Sequence, residues 1–172
     1  VVGGVRQAEG KTGPGLALRG GYVEVPDCPL LQLKDGLTLM AWVWPDQAAS
    51  ARLFNKTPVG KDNAFLLDTH PDNHIRLITR FGALATPEAI PVKQWTHVAA
   101  TFDGSACRIY LNGELKAEGK AKGALDLTGL PLRIGADSEG GSRFTGVLDE
   151  VRIYSRALDP SALRRVAGIE NK

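Results

Sequence analysis

Short runs in which apolar and polar residues alternate, separated by turn signals, make up most of this chain. GLALRG (15–20), GYVEVP (21–26), NAFLLD (63–68), HIRLITRF (74–81), QWTHVAATFDG (94–104), ACRIYLNGELKAEG (106–119), LPLRIGAD (130–137) and RFTGVLDEVRIY (143–154) each read as an extended strand or a strand with its turn. GLTLMAWVWP (36–45) is apolar at both parities, which predicts a central strand covered on both faces. Asp103-Gly104, Asn112-Gly113 and Gly140-Gly141 punctuate the series. Asn112-Gly113 predicts a tight hairpin, because both central positions of a type I′ turn require positive φ. Near the C-terminus Asp159 can cap a short helix that Pro160 opens. Leu158 and Leu163 have the spacing of a hydrophobic staple, Arg164 and Arg165 suit its last turn, and Gly168 can end it. The pattern gives an all-β class with one short C-terminal helix, and with no internal repeat or low-complexity linker residues 1–172 read as a single domain.

Composition narrows the function. The chain has 172 residues, 43 % of them apolar, enough for a sizeable core. A net charge of +2, with Lys and Arg scattered, gives no nucleic-acid footprint. No apolar stretch approaches the roughly 20 residues that span a bilayer, so membrane insertion is not expected. The opening VVGGV carries no signal peptide and reads as the start of a mature domain excised from a longer protein. Cys28 and Cys107 are the two cysteines, outside any CxxC pair. A single disulfide or two free thiols fit, and free thiols are the reading preferred here.

The densest set of chemical side chains is LDTHPDNHIRL (67–77). On one strand Asp68, His70, Asp72 and His74 would share a face and could hold a metal. Pro71-Asp72-Asn73 is instead turn chemistry, and a turn destroys the shared face. The cluster is expected to be a hairpin turn.

Three segments carry a family resemblance. LTLMAWVWP, WTHVAATFDGSACRIYLNGEL and LRIGADSEGGSRFTGVLDEVRIYSRALDPSAL, in this order, resemble core strands of the laminin-G-like domains of the concanavalin A-like lectin/glucanase superfamily. The likeness runs from about residue 10 to residue 167. It implies a two-sheet antiparallel jelly-roll β-sandwich that binds glycans or extracellular proteins, is appended to other domains, works extracellularly, at the cell surface or in the periplasm, and often holds a structural calcium ion. Glucanase members place acidic residues at alternating positions of one strand. Here the adjacent Asp149 and Glu150 point to opposite faces, Asp68 and Asp72 flank a turn, and His97 lies in a core-strand motif, so no catalytic constellation is apparent.

A non-catalytic carbohydrate-binding module follows as the preferred function, with a protein-interaction or spacer domain as the alternative. Trp42 matches the family's core tryptophan, and Trp95 is expected to plug one end of the sandwich. Trp44 stands where the family is usually polar, which leaves either an exposed ring awaiting a partner or one covered by the 46–51 loop. Trp44 and the DSEGGSR loop, through Asp137, Glu139 and Arg143, are the ligand-binding candidates. Tyr110, Tyr154, Arg76, Arg80, Arg108, Arg133 and Arg152 lie at parities opposite to the core, as a basic aromatic face or as scattered solvated arginines. Asp149 shares parity with Val147, Val151 and Ile153 and should face the core, where a carboxylate needs a partner. The resemblance supplies calcium, bound by Asp149 with the Gly20 carbonyl as a second ligand.

Overall fold

The computed structural model describes residues 1–169. Thirteen strands form two antiparallel sheets packed face to face. The seven-stranded sheet runs β1 (Val5–Glu9), β2 (Pro14–Arg19), β13 (Thr145–Tyr154), β4 (Leu37–Pro45), β9 (Thr96–Phe102), β10 (Ala106–Leu111), β11 (Glu114–Lys120). The six-stranded sheet runs β3 (Val23–Val25), β12 (Leu132–Ile134), β5 (Ala51–Asn55), β6 (Phe65–Thr69), β7 (His74–Thr79), β8 (Gly82–Ala89). This is the expected all-β sandwich, and the single α-helix among the described residues is α1 (Pro160–Ala167).

One apolar core joins the sheets. Leu39, Val43, Val98 and Ile109 from the larger sheet meet Leu53, Phe54, Leu67, Ile75 and Leu77 from the smaller. Each is nearly inaccessible to solvent, so truncating one to alanine should cost roughly 2–5 kcal/mol. Strand β4 lies mid-sheet, and both its faces are buried. Leu37, Leu39, Ala41 and Val43 point into the core, whereas Met40 lies under α1 with Ala99, Tyr110, Leu158, Ala162 and Leu163. The helix starts as its sequence dictates, with the Asp159 carboxylate accepting from Ala162 N at 2.8 Å. It ends at Gly168 in the left-handed region (φ 66°), whose N–H reaches the Arg164 and Arg165 carbonyls. Thr38 ties the approach to the helix down, accepting from Leu158 N and donating to the Arg156 carbonyl.

The 70–73 segment is a turn. Asp72 and Asn73 take positive φ, and His74 N donates to the Pro71 carbonyl at 2.9 Å, so β6 and β7 pair as a hairpin. Asn112 (φ 49°) and Gly113 (φ 78°) turn β10 into β11 as expected. A feature the pattern did not announce is Lys56, 2 % exposed just past the end of β5. Its ammonium donates to Asp27 at 2.6 Å and to the Thr128 and Leu130 carbonyls, which satisfies every donor of the buried charge. That hydrogen bond from Lys56 holds the Asp27 carboxyl below the usual carboxylate range.

The functional consequence of this packing is asymmetry. Helix α1 covers the outer face of the larger sheet over β4, β9, β10 and the C-terminal end of β13. The outer face over β1, β2 and the first half of β13 is left uncovered, and the clefts of the next section lie there.

Candidate functional site

Trp44 emerges at the boundary between the covered and open halves of that face. On β4 it has the outward parity of Met40 and Trp42, but it lies beyond the reach of α1 and stays half-buried. Trp95, just before β9, tilts against it with ring centroids 5.6 Å apart. The expectation that Trp95 plugs the sandwich end is thus corrected: it pairs with Trp44. The two rings, with Ala8, Glu9, Gly10 and Val147, line an open cleft of about 440 Å³. Trp42 is buried, as expected, though on the outer side of the sheet. Its Nε1 donates to the Ala167 carbonyl at 3.2 Å, and the Lys11 ammonium stands 5.0 Å from its ring centroid.

The loop candidates lie elsewhere. The 137–143 loop packs against the smaller sheet, where Arg52 N donates to the Ser142 carbonyl and Val59 N to the Ser138 hydroxyl. Asp137 is 7 % exposed and works inward. Its carboxylate accepts from Glu139 N, Gly141 N and the Ser142 hydroxyl at 2.8–3.0 Å. Burial alone would raise its pKa, but the Gly141 and Glu139 amides and the Ser142 hydroxyl outweigh burial and hold it below the usual range. Asp137 therefore folds the loop and has no oxygen turned outward. Arg143 donates to the Gly140 and Gly20 carbonyls and sits over the Tyr22 ring. Glu139 is exposed. None of the three lines the Trp44 cleft.

The arginines do not combine into one basic face. Arg76 and Arg133 belong to the smaller sheet, Arg108 and Arg152 to the larger, and Arg80 to the turn after β7. Each is paired with acid: Arg76 with Asp68, Arg80 with Asp126, Arg108 with Asp103 and Glu118, Arg133 with Glu24, Arg152 with Glu150. Asp68, from the LDTHPDNHIRL segment, is 1 % exposed and clamped between Arg52 and Arg76. Tyr110 and Tyr154 pack under α1.

Asp149 does not face the core. Two residues of β13, Glu150 and Val151, oppose one of β4, Ala41, at a bulge, because Asp149 pairs with Trp42 and Arg152 with Met40. Glu150 absorbs the extra residue at φ 50°. The bulge inverts parity, so Val147 and Asp149 point outward while Val151 and Ile153 pack on the core. The Asp149 carboxylate then meets the β1–β2 turn. Oδ2 accepts from Lys11 N at 2.8 Å, Thr12 N at 2.9 Å and Thr12 Oγ1 at 3.4 Å, and Oδ1 accepts from Glu150 N at 2.7 Å. The approach is so close that a Cβ on Gly10 would lie 2.6 Å from Oδ2. Gly20 is not part of this arrangement, for its carbonyl accepts from Arg143.

Comparison with known proteins places this geometry in a family. The family model described as the concanavalin A-like lectin/glucanases superfamily matches residues 18–164. The chain belongs to this superfamily. Adhesion G-protein coupled receptor V1 of Danio rerio is 26 % identical over 152 residues, 78 % of this chain, and the match spans only 2 % of that receptor. Domain 4 of an extracellular GH43 arabinanase from Geobacillus stearothermophilus, solved with arabinotriose, superposes with a TM-score of 0.76 at 24 % identity, covering 96 % of this chain and 82 % of that one. A putative carbohydrate binding protein from Bacteroides ovatus gives 0.74 at 20 % identity, covering 88 % and 45 %. At these identities the solved structures show a shared fold.

Within the concanavalin A-like superfamily a calcium ion was the expected cofactor, and the residues here do not fit one. Three N–H groups and a hydroxyl aim their positive ends at the Asp149 carboxylate, and the Gly20 carbonyl is turned to Arg143. No group of three or more His, Cys, Asp or Glu side chains converges among the described residues. No helix among them is long and apolar enough to cross a membrane.

Proposed function

We propose that this chain is a non-catalytic carbohydrate-binding module of a larger secreted or surface protein, and that the Trp44–Trp95 cleft holds the sugar. The observation that carries the reading is the pair of adjacent, half-buried indoles on a part of the sheet that the helix leaves open. An aromatic face offers a large, rigid, water-excluding platform with a polar edge, which suits the apolar face of a pyranose or furanose ring. Glu9 at the cleft and the charged β1–β2 edge beside it offer partners for hydroxyls. The arabinanase domain solved with arabinotriose and the Bacteroides ovatus protein share the fold and support the reading by analogy.

A glycan array probed with the wild type, Trp44→Ala and Trp95→Ala tests it. A defined subset of glycans should bind the wild type and be lost in both variants. A silent array, or binding indifferent to both tryptophans, would favour a protein-interaction or spacer role.

A further inference from the structure

The aromatic pair is one end of a longer feature. Strand register places Trp44 opposite Val147, Val147 opposite Ala17, and Ala17 opposite Arg6. These four outward-facing residues form a straight row across β4, β13, β2 and β1. Three inter-strand steps make it roughly 14 Å long. The row reads aromatic, small, small, cationic. Its neighbours keep the middle low: Ala8 on β1 faces Gly15 on β2, and a Cβ at Gly15 would lie 3.0 Å from both Gly10 Cα and Val147 Cγ1. A second cleft of about 490 Å³, lined by Gly4, Arg6, Gln7, Ala8, Ala17 and Arg19, continues the Trp44 cleft through the shared Ala8. Together they make a trough that opens at the sheet edge, since β1 is the outermost strand.

Charge is distributed unevenly along it. At the indole end one charge of each sign stands close by, Glu9 and the Lys11 ammonium over the Trp42 ring. At the edge end stand Arg6 and Arg19, against one carboxylate, that of Asp46, which reaches Arg19 at 3.4 Å with the arginine 67 % exposed. Arg6 is exposed and pairs with no carboxylate among the described residues, in contrast to the strand arginines elsewhere on the sheets.

Resting on the carbohydrate reading of the Trp44 cleft, we propose that the trough takes an extended acidic oligosaccharide, one sugar stacked on Trp44 and Trp95 and a carboxylate-bearing sugar at Arg6 and Arg19. The register fixes the direction. Carboxylates along the oligosaccharide are met by guanidinium groups at the edge, where planar two-point hydrogen bonding is available. The small residues between leave room for the connecting ring and contribute no charge of their own.

Calorimetric titration at low salt with trigalacturonate, its carboxyl-reduced counterpart and monomeric galacturonate tests the proposal. Trigalacturonate should bind about tenfold more tightly than the reduced trimer, the scale of one charge-assisted contact, and the monomer should bind weakly. Arg6→Gln should erase the advantage of the acid and leave the reduced trimer unchanged. Ala17→Leu, which raises the trough floor, should weaken both trimers and spare the monomer. An acid preference that survives Arg6→Gln, or its absence in the wild type, overturns the acidic end while leaving the indole platform standing. Failure of all three ligands, neutral and acidic, overturns both.

Discussion

The imidazole of His97 meets the indole of Trp42 edge to face, ring centroids 5.4 Å apart, and neither of its nitrogens has a hydrogen-bond partner among the described residues. His97 is wholly inaccessible, with β4 on one side and the Asn112 turn on the other. Burial pushes its pKa down to about 4.

An unfolded histidine titrates near 6.5, so between pH 6.5 and 4 the unfolded chain binds a proton that the folded one refuses. Stability from this residue is therefore complete above pH 6.5 and drains away as pH falls to 4, by about 3 kcal/mol in all. Melting temperatures of the wild type and His97→Phe across this window should diverge, the variant losing less on acidification because it has nothing there to protonate. Parallel curves would refute the assignment.

The two neighbouring tryptophans of β4 should separate function from stability. Trp42→Ala removes a buried ring and its bond to the Ala167 carbonyl, and should cost roughly 3–5 kcal/mol. Trp44→Ala removes a half-buried ring whose aromatic partner is Trp95, and should cost about 1 kcal/mol, or roughly 2–4 °C of melting temperature. Its effect on glycan affinity should be larger, roughly 30-fold, as for an anchor at the centre of a binding site. Paired melts and titrations of the two variants check both halves.

The cysteines should react in order. Both are free, Cys28 half-buried and Cys107 buried facing the core. Burial raises the Cys107 thiol pKa, which lowers its thiolate fraction. Alkylation of the native protein should label Cys28 alone, and denaturation should add the second label by mass spectrometry. Finding no alkylatable thiol after unfolding would reveal a bridge.

The strands that sequence reading located are those whose apolar positions alternate or run on, such as β4, β7, β9 and β13. Three others gave no such signal. Strand β1 (VRQAE) and β8 (GALATPEA) are the outermost strands of their sheets and mostly exposed, so nothing selects an apolar row along them. Strand β5 is short and carries a bulge between Arg52 and Phe54 that scrambles its period. The same limit governed the site. Trp44 stands out because a large ring occupies a position where the family resemblance implies a polar residue. The row leading from it to Arg6 depends on cross-strand register, two of whose three steps join residues over a hundred positions apart, and no local pattern encodes that. Asp149 does share its face with Val147, but the bulge that returns Val151 and Ile153 to the core is absorbed by Glu150 at φ 50°, a conformation that no residue preference announces.

That bulge gives the last prediction. It turns Asp149 outward, where its carboxylate pins the β1–β2 turn through Lys11 N, Thr12 N and Thr12 Oγ1, and caps Glu150 N. Removing the carboxylate leaves these donors without their acceptor, and unmet donors at a part-buried site cost more than the net worth of the bonds. Asp149→Ala should lower stability by roughly 2–3 kcal/mol and the melting temperature by about 5–10 °C. Because the turn is what loosens, trypsin should cut after Lys11 faster in the variant than in the wild type at the same temperature. A carboxylate that serves as an acceptor for N–H groups has no need of a cation, so chelator-treated wild type should melt at the same temperature with and without added calcium. A calcium-dependent rise in the wild type that vanishes in Asp149→Asn would show that the turn opens to admit the ion, and would replace the hydrogen-bonded role with a metal-bound one.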